Sequence, residues 1–463
     1  MQQDNCPNIV LIVIDALRVK PLGCYGGNVP TPTMNKLSTE GTIFQKAFSC
    51  ANLTDPSITS ILTGKYPISH GIISHGYSAY DYRNEINEFV SLAEDLKRFG
   101  YLTFGIDWLG RWHKKGFDFY SGIIEKRKIR QLLKKVTQKI PFFIKSILDK
   151  KLGSYMPDIY YPSATEQTKL ATNIISKYFD KPFFLFIHYW DTHYPYNSPS
   201  VYIDNIYDFV KKEFNNDIKN FDDIIKSTCS PFYKSVFRRF HMKGTTPLDL
   251  IARYYGSISY VDFEINKLYE TLRRYNLLEK TIIILTSDHG ESLGEHGVFF
   301  NHHGLYDLTT HIPLIIRHPN LPKNNLECFV QHVDIVPTIL DMIGKYDFSN
   351  NMYDGSSLIP VIKSEKDKIR TSVLIHEDSW WAGQRIALRT NEYKFIREMT
   401  EHNSICKYCK KKHLPPIELY NIIRDPKELD NLADIKLNLV KKYENILQNY
   451  LASLKSYKSR VRE

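Results

Sequence analysis

The chain has 463 residues, 43% hydrophobic and 24% charged, a balance that excludes a disordered chain and a bundle of membrane spans. Its length exceeds what one hydrophobic core usually serves, which predicts a large core with a smaller appended unit. The net charge of +10 is concentrated at residues 126–151, 226–243 and beyond 441; such basic stretches suit anionic lipid, an acidic glycan or plain solvation, and no nucleic-acid partner is expected.

In chain order, the first predicted element is the apolar run at residues 9–14, ending at Asp15. Six residues without a basic leader are too few for a signal peptide or a membrane span, so the run reads as a buried strand, with a cytoplasmic location as the expectation. Helical periodicity is predicted around residues 33–40, 57–62, 90–98, 164–178 and 255–277. The frame Thr54-Asp55-Pro56-Ser57-Ile58 opens the second of these. Pro56 suits a first helical turn, and the Thr54 hydroxyl then stands where backbone N–H groups and the helix dipole face an anion. An N-capping threonine would give the same frame.

The apolar run at 182–188 leads into Trp190-Asp191-Thr192-His193, and that at 282–285 into Ser287-Asp288-His289. Open α/β sheets bind ligands beyond the carboxyl ends of their strands, so three apolar runs ending in Asp or His converge on one crevice. Residues 125–161 and 201–247 are Lys-, Asn- and Phe-rich and weakly periodic; both read as insertions on the binding face, a lid or substrate collar. Short strand-like runs at 372–376, 384–389 and 394–397 precede an amphipathic helix at 435–455. The expected fold is α/β, a large mixed, mostly parallel sheet sandwiched by helices (residues 1–365), closed by a small C-terminal α+β subdomain (366–463). Seven scattered cysteines are not a disulfide framework. Cys406 and Cys409 with His413 have the spacing of half a zinc site; no second half is visible, and no metal is expected there.

Taken in order, these segments resemble the sulfatase family of the alkaline phosphatase superfamily over nearly the whole chain. Residues 8–15 are similar to its first strand and metal-binding Asp, and residues 54–64 to its nucleophile signature. Gly110-Arg111-Trp112-His113 resembles a Gly-Lys-Trp-His stretch, and Trp190-Asp191-Thr192-His193 the segment with a substrate-contacting His. Ser287-Asp288-His289-Gly290-Glu291 resembles the second metal motif. His302-His303-Gly304-Leu305-Tyr306-Asp307 is similar to the segment carrying a second basic residue, and Glu418-Leu419-Tyr420-Asn421 to the C-terminal signature.

The departures carry as much chemistry. Thr54 stands where sulfatases have Cys or Ser for oxidation to formylglycine, an aldehyde Thr cannot give; Ile58 stands where they have Arg. Cys50 lacks the following Pro and reads as a buried thiol. Asp15-Ala16 replaces two adjacent acids, and Asp288-His289 replaces Asp-Asn. One fewer carboxylate and one imidazole suit Zn²⁺ or Mn²⁺ better than Ca²⁺, with Ca²⁺ or Mg²⁺ still open.

The resemblance therefore implies one divalent cation held by Asp15, Asp288 and His289, with Thr54 both fourth ligand and nucleophile. Arg111 would offer a planar fork to two oxygens of a tetrahedral anion. His113 and His193 would bind that anion, one of them protonating the leaving oxygen. His302 or His303 takes the place of the second basic residue, with His302 preferred. Glu291 is a candidate for orienting the His ligand, His70 and His75 for surface or supporting roles, and His296 for a structural one.

A formylglycine sulfate ester can expel sulfate by elimination. A Thr ester cannot, so water must attack the central atom again, which favours phosphate monoesters, diesters or phosphonates over sulfate esters. The expected substrate is an anionic ester on a glycan, lipid head group or small molecule. A transferase passing the phospho- or sulfo-group to a sugar or lipid alcohol, and a catalytically silent binder on the same fold, are the other readings.

Overall fold

The computed structural model describes residues 6–76, 89–121, 162–196, 198–214, 219–349, 352–399 and 405–454. The first apolar run forms β1 (Asn8–Ile14), buried at every position. It is followed by β2 (Thr42–Phe48), β3 (Leu102–Ile106), β4 (Phe119–Ser121), β5 (Phe183–Tyr189) and β6 (Thr281–Ser287). The short pair β7 (Ser292–Leu293) and β8 (Phe299–Asn301) precedes β9 (Leu314–Arg317) and β10 (Asn325–Gln331). Eight of these make one sheet in the order β10-β2-β9-β6-β1-β5-β3-β4. It is parallel except where β9 runs against β2 and β6, so the expected mixed, mostly parallel sheet is present.

Alternation along β1 feeds two apolar layers. Ile9, Leu11 and Val13 pack with Phe184, Phe186, Ile282 and Ile284 on one face. Val10, Ile12 and Ile14 pack with Leu185, Ile187, Ile283 and Leu285 on the other. The helices that sandwich the sheet follow the predicted periodicities: α1 (Pro32–Glu40), α2 (Thr54–Thr63), α3 (Leu92–Arg98) and α4 (Ala164–Tyr178). Capping boxes at Ser91/Glu94 and Ser163/Glu166 start α3 and α4 by satisfying orphan N–H groups at each end.

Within residues 201–247, expected to be a weakly periodic insertion on the binding face, the described residues form three helices: α5 (Ser200–Glu213), α6 (Phe221–Ser227) and α7 (Pro231–Met242). Ile206, Val210, Phe221, Ile224 and Phe237 join the main core. Side-chain caps at Asn220 and Ser230 start α6 and α7. The other predicted insertion, 125–161, lies outside the described residues. The long helix α8 (Pro247–Arg274) repeats Leu250, Tyr254, Ile258, Val261, Ile265, Leu268 and Leu272 toward the sheet.

After α9 (Ile335–Met342) the chain forms β11 (Ser372–Ser379), β12 (Gly383–Thr390), β13 (Tyr393–Glu398) and β14 (Ile417–Asn421). They make an antiparallel four-stranded sheet. It is covered by α10 (Leu437–Ser453), whose Tyr443, Leu447 and Leu451 meet Leu388, Phe395 and Leu419. The His376 N–H on β11 donates to the Cys50 carbonyl at 2.9 Å, tying this small sheet to the segment that enters α2. Among the described residues no helix is long and apolar enough to cross a membrane.

Candidate active site

Register brings three strand tips together: Ile14 pairs with Ser287 on β6 and with Tyr189 on β5. Asp15 and Asp288 thus emerge side by side, with His188 just inside the rim, and all three side chains are fully buried. Their ligand atoms lie within 4.8 Å of one another. Nε2 of His188 is 3.5 Å from Asp15 Oδ2, and Nε2 of His289 is 3.7 Å from Asp15 Oδ1 and 3.3 Å from Asp288 Oδ2.

Backbone groups aim this cluster. The N–H groups of Ala16 and His289 donate to Asp288 Oδ1 at 3.0 and 2.8 Å, turning Oδ2 inward. His289 Nδ1 donates to the Gly290 carbonyl at 2.8 Å, so Nε2 carries the lone pair. His188 Nδ1 faces Asp107 Oδ1 at 2.9 Å, with the same consequence. Among the described residues, neither Asp15 oxygen nor Asp288 Oδ2 has a hydrogen-bond partner. Burial, then the charges of Asp288, Glu291 and Asp107, push the Asp15 carboxyl well above its ordinary range. Such a set is costly without a counter-charge; two carboxylates and two imidazoles fit a divalent cation of the Zn²⁺ or Mn²⁺ type.

The sequence reading included Asp15, Asp288 and His289 but missed His188. Its signal was present, an imidazole inside an otherwise apolar buried strand.

Thr54 is the first residue of α2 and is buried, with Oγ1 3.3 Å from His289 Nε2. Its approach is fixed by Ser57 Oγ donating to the Ala51 carbonyl at 2.9 Å and Asn52 Nδ2 donating to the His302 carbonyl at 2.8 Å. Ile58 points into the apolar layer, fully buried. Cys50 is a buried thiol, as expected, pushed up by burial to about 12.

The two adjacent histidines separate clearly. His302 stacks on His289 at 4.1 Å, lies 5.9 Å from the His193 ring, and donates through Nδ1 to the Asn52 carbonyl. His303 turns away to Trp380 at 4.7 Å and Trp381 at 5.9 Å. His193 stacks on Trp190 at 4.0 Å and donates through Nδ1 to the Tyr194 carbonyl at 2.8 Å. Burial lowers His193 to about 3, so its ring is neutral at pH 7.

Arg111, expected to offer its fork to an anion, has Nη1 bonded to Asp55 Oδ2 and 3.5 Å from the Gly76 carbonyl. Asp55 was not singled out in sequence, where it reads as an acid in a first helical turn. It also accepts from the Gly76 N–H at 2.8 Å and faces His75 at 2.9 Å. Burial raises the Asp55 carboxyl, but His75, Arg111 and His113 together bring it below the usual carboxylate range. The Arg111 backbone has a φ of 48°, a left-handed conformation that this anchoring sustains. His113 lies 3.9 Å from Asp55 Oδ1 and 3.4 Å from Thr59 Oγ1, and burial holds it near 4 despite that carboxylate.

Glu291 is also placed differently, accepting from Tyr196 OH at 3.1 Å while the Gly290 carbonyl orients His289. His70 is buried against Ser60 Oγ at 3.1 Å, and His296 stacks on Tyr306 at 3.6 Å.

The sulfatase family model matches residues 7–345, and the model for the N-sulphoglucosamine sulphohydrolase C-terminal region matches 294–456. The chain belongs to the sulfatase family and is a hydrolase of the sulfuric-ester class. It is 24% identical over 523 residues to N-acetylglucosamine-6-O-sulfatase of Bacteroides thetaiotaomicron, covering 99% of this chain and 88% of that one. Human iduronate 2-sulfatase is 26% identical over 352 residues, 67% of this chain and 60% of its own. In fold the chain is similar to an enzyme solved with its substrate D-glucosamine-2-N,6-O-disulfate (TM-score 0.71, 21% identity, 99% of each chain). It is also similar to the phosphonate monoester hydrolase of Agrobacterium radiobacter (TM-score 0.68, 21% identity, 97% and 96% of the two chains).

Proposed function

We propose that the chain is a metal-dependent hydrolase of anionic esters acting through a covalent Thr54 intermediate, favouring phosphate monoesters, diesters or phosphonates over sulfate esters. The observation that carries this reading is Thr54 Oγ1 at the mouth of α2, 3.3 Å from His289 Nε2. Asp15, His188, Asp288 and His289 would hold the cation, Zn²⁺ or Mn²⁺ before Ca²⁺ or Mg²⁺; bound there, it lowers the pKa of a neighbouring hydroxyl and offsets anionic charge.

The rest is the work of the chain's own groups. Backbone N–H groups at the start of α2 face the anion. The Thr54 hydroxyl gives up its proton to solvent, which also supplies the proton that an imidazole takes up, and its oxygen attacks the central atom in line as the bond to the leaving oxygen breaks. His193 and His302 each donate through Nδ1 to a carbonyl, which leaves Nε2 to meet the substrate. An arriving anion favours the protonated imidazole, which then hands its proton to the leaving oxygen. Arg111 acts through Asp55, holding the residue beside the nucleophile. Water attacks the same atom and releases the Thr54 hydroxyl. This second attack replaces the elimination open to formylglycine, and it favours phosphorus. The sugar-sulfate relative makes a glycan ester the first natural substrate class to test.

The test is metal-dependent turnover of p-nitrophenyl phosphate, bis-p-nitrophenyl phosphate and p-nitrophenyl sulfate by wild type and Thr54→Ala. A phosphoester should turn over fastest, and the variant should lose at least about 10³-fold. Undiminished rates in Thr54→Ala would remove the covalent step; turnover of the sulfate alone would reverse the substrate preference.

A further inference from the structure

The half zinc site expected to stand alone does not. Cys229, in the turn between α6 and α7, is carried 177 positions along the chain to Cys406, with their Sγ atoms 3.3 Å apart. Its Sγ is also 3.5 Å from Nε2 of His413, which lies 3.2 Å from Cys409 Sγ. Ligand atoms of Cys229, Cys406, Cys409 and His413 all fall within 4.8 Å of one another. Four donors about a tetrahedral Zn²⁺, with Zn–S of about 2.3 Å and Zn–N of about 2.0–2.1 Å, are separated by about 3.5–3.8 Å. All three cysteines are unbridged, and 3.3 Å between sulfurs is far beyond a disulfide bond.

The loop around them is shaped for the purpose. The Lys410 N–H donates to the Cys406 carbonyl and the Cys406 N–H to the Lys411 carbonyl, each at 3.0 Å, folding the segment back on itself. Lys410 holds a left-handed φ of 58° at the turn. The Lys407 N–H donates to the Trp380 carbonyl at 2.9 Å, fixing the loop to the β11–β12 turn. Three thiolates on one divalent ion leave a single negative charge.

We propose that Cys229, Cys406, Cys409 and His413 form a structural zinc site that clips the α5–α7 helices to the C-terminal subdomain. Binding converts three thiols to thiolates, releasing their protons, and takes the neutral imidazole through Nε2. The clip bears on the active-site rim. The His413 ring stacks on Trp381 at 5.0 Å, and Trp381 stacks in turn on His303 at 5.9 Å. On the other side Tyr233 of α7 stacks on Trp380 at 6.1 Å. The site therefore sets the position of two tryptophans that pack on His303, the neighbour of His302, separately from the cation proposed at Asp15 and Asp288.

Metal analysis of the full chain tests this independently of turnover. Wild type should lose about one equivalent of zinc in Cys229→Ser, while Asp288→Asn keeps that equivalent. Cobalt-substituted wild type should show thiolate-to-metal charge-transfer bands in the near ultraviolet; this holds the test open if Cys229→Ser does not fold. Cys229→Ser should also raise KM more than it lowers kcat. Equal zinc content in wild type and Cys229→Ser, no thiolate–cobalt bands in wild type, or a Cys229–Cys406 disulfide found by mass spectrometry of native protein would each overturn the proposal. Loss of the Thr54 mechanism would leave these readouts unmoved.

Discussion

Nδ1 of His188 lies 2.9 Å from Oδ1 of Asp107, with both side chains fully buried. Tyr120 OH also donates to Asp107. Burial raises the Asp107 carboxyl, yet these hydrogen bonds and the His188 and His113 charges bring it below its ordinary range. The carboxylate fixes the imidazole so that Nε2 faces Asp15, as carboxylates behind metal-binding histidines do.

Asp107→Asn should therefore weaken metal binding by about 10–100-fold while the fold persists. Calorimetric titration of Mn²⁺ or Zn²⁺ into metal-stripped protein measures it. Unaltered affinity would take His188 out of the ligand set.

Asp55 gathers Arg111, His75 and the Gly76 N–H around one buried carboxylate. Asp55→Ala removes the carboxylate bonded to the Arg111 side chain, which is only 10% exposed. Breaking such a buried pair costs about 3–5 kcal/mol, which urea denaturation at pH 7 would register. Asp55→Ala/Arg111→Met should recover part of the loss, since the second change removes the stranded charge. A double variant as unstable as the single one would show that the pair is not the cause.

The stacking of His302 on His289 and the turn of His303 toward Trp380 make opposite kinetic predictions. His302→Ala should lower kcat by about 10²–10⁴-fold, the usual contribution of a group acting on protons or charge in the transition state. His303→Ala should act mainly on KM. Steady-state kinetics on one phosphoester distinguishes them, and equal losses in kcat would put His303 in the same role.

What was legible in the sequence follows from what is local. The apolar run before Asp15 reads as a buried strand, and the 164–178 pattern marks α4 at the ends observed. Both sequence neighbours of Thr54 bearing on its role were also readable, Pro56 for the helix start and Ile58 for the missing guanidinium. His188 offered only an imidazole inside an apolar strand, which breaks no periodicity; its register against Val13 shows where it lands. Cys229 lies 177 positions from Cys406, a distance that no spacing rule spans. Arg111 carried the right charge, but the left-handed turn at Arg111 that brings it to Asp55 is one that sequence does not announce.

Arg18 Nη1 donates to Glu295 Oε1 at 2.9 Å, and the Leu293 N–H donates to Oε2 at 2.7 Å, closing the turn after β7. Burial raises the Glu295 carboxyl, but Arg18 and the backbone donors lower it from 4.5 to about 2. A carboxyl lowered on folding stabilises the native state above its unfolded pKa and loses that contribution as pH falls through the folded value. Glu295→Gln should thus be less stable than wild type at pH 7, by about 1 kcal/mol once the 36% exposure of the carboxylate side chain is allowed for. The difference should shrink between pH 4.5 and about 2, where the wild-type side chain also becomes neutral. Denaturant titrations of both proteins at pH 7 and pH 3 measure it. A gap that widens on acidification would mean that the Glu295 charge is not what Arg18 holds in place.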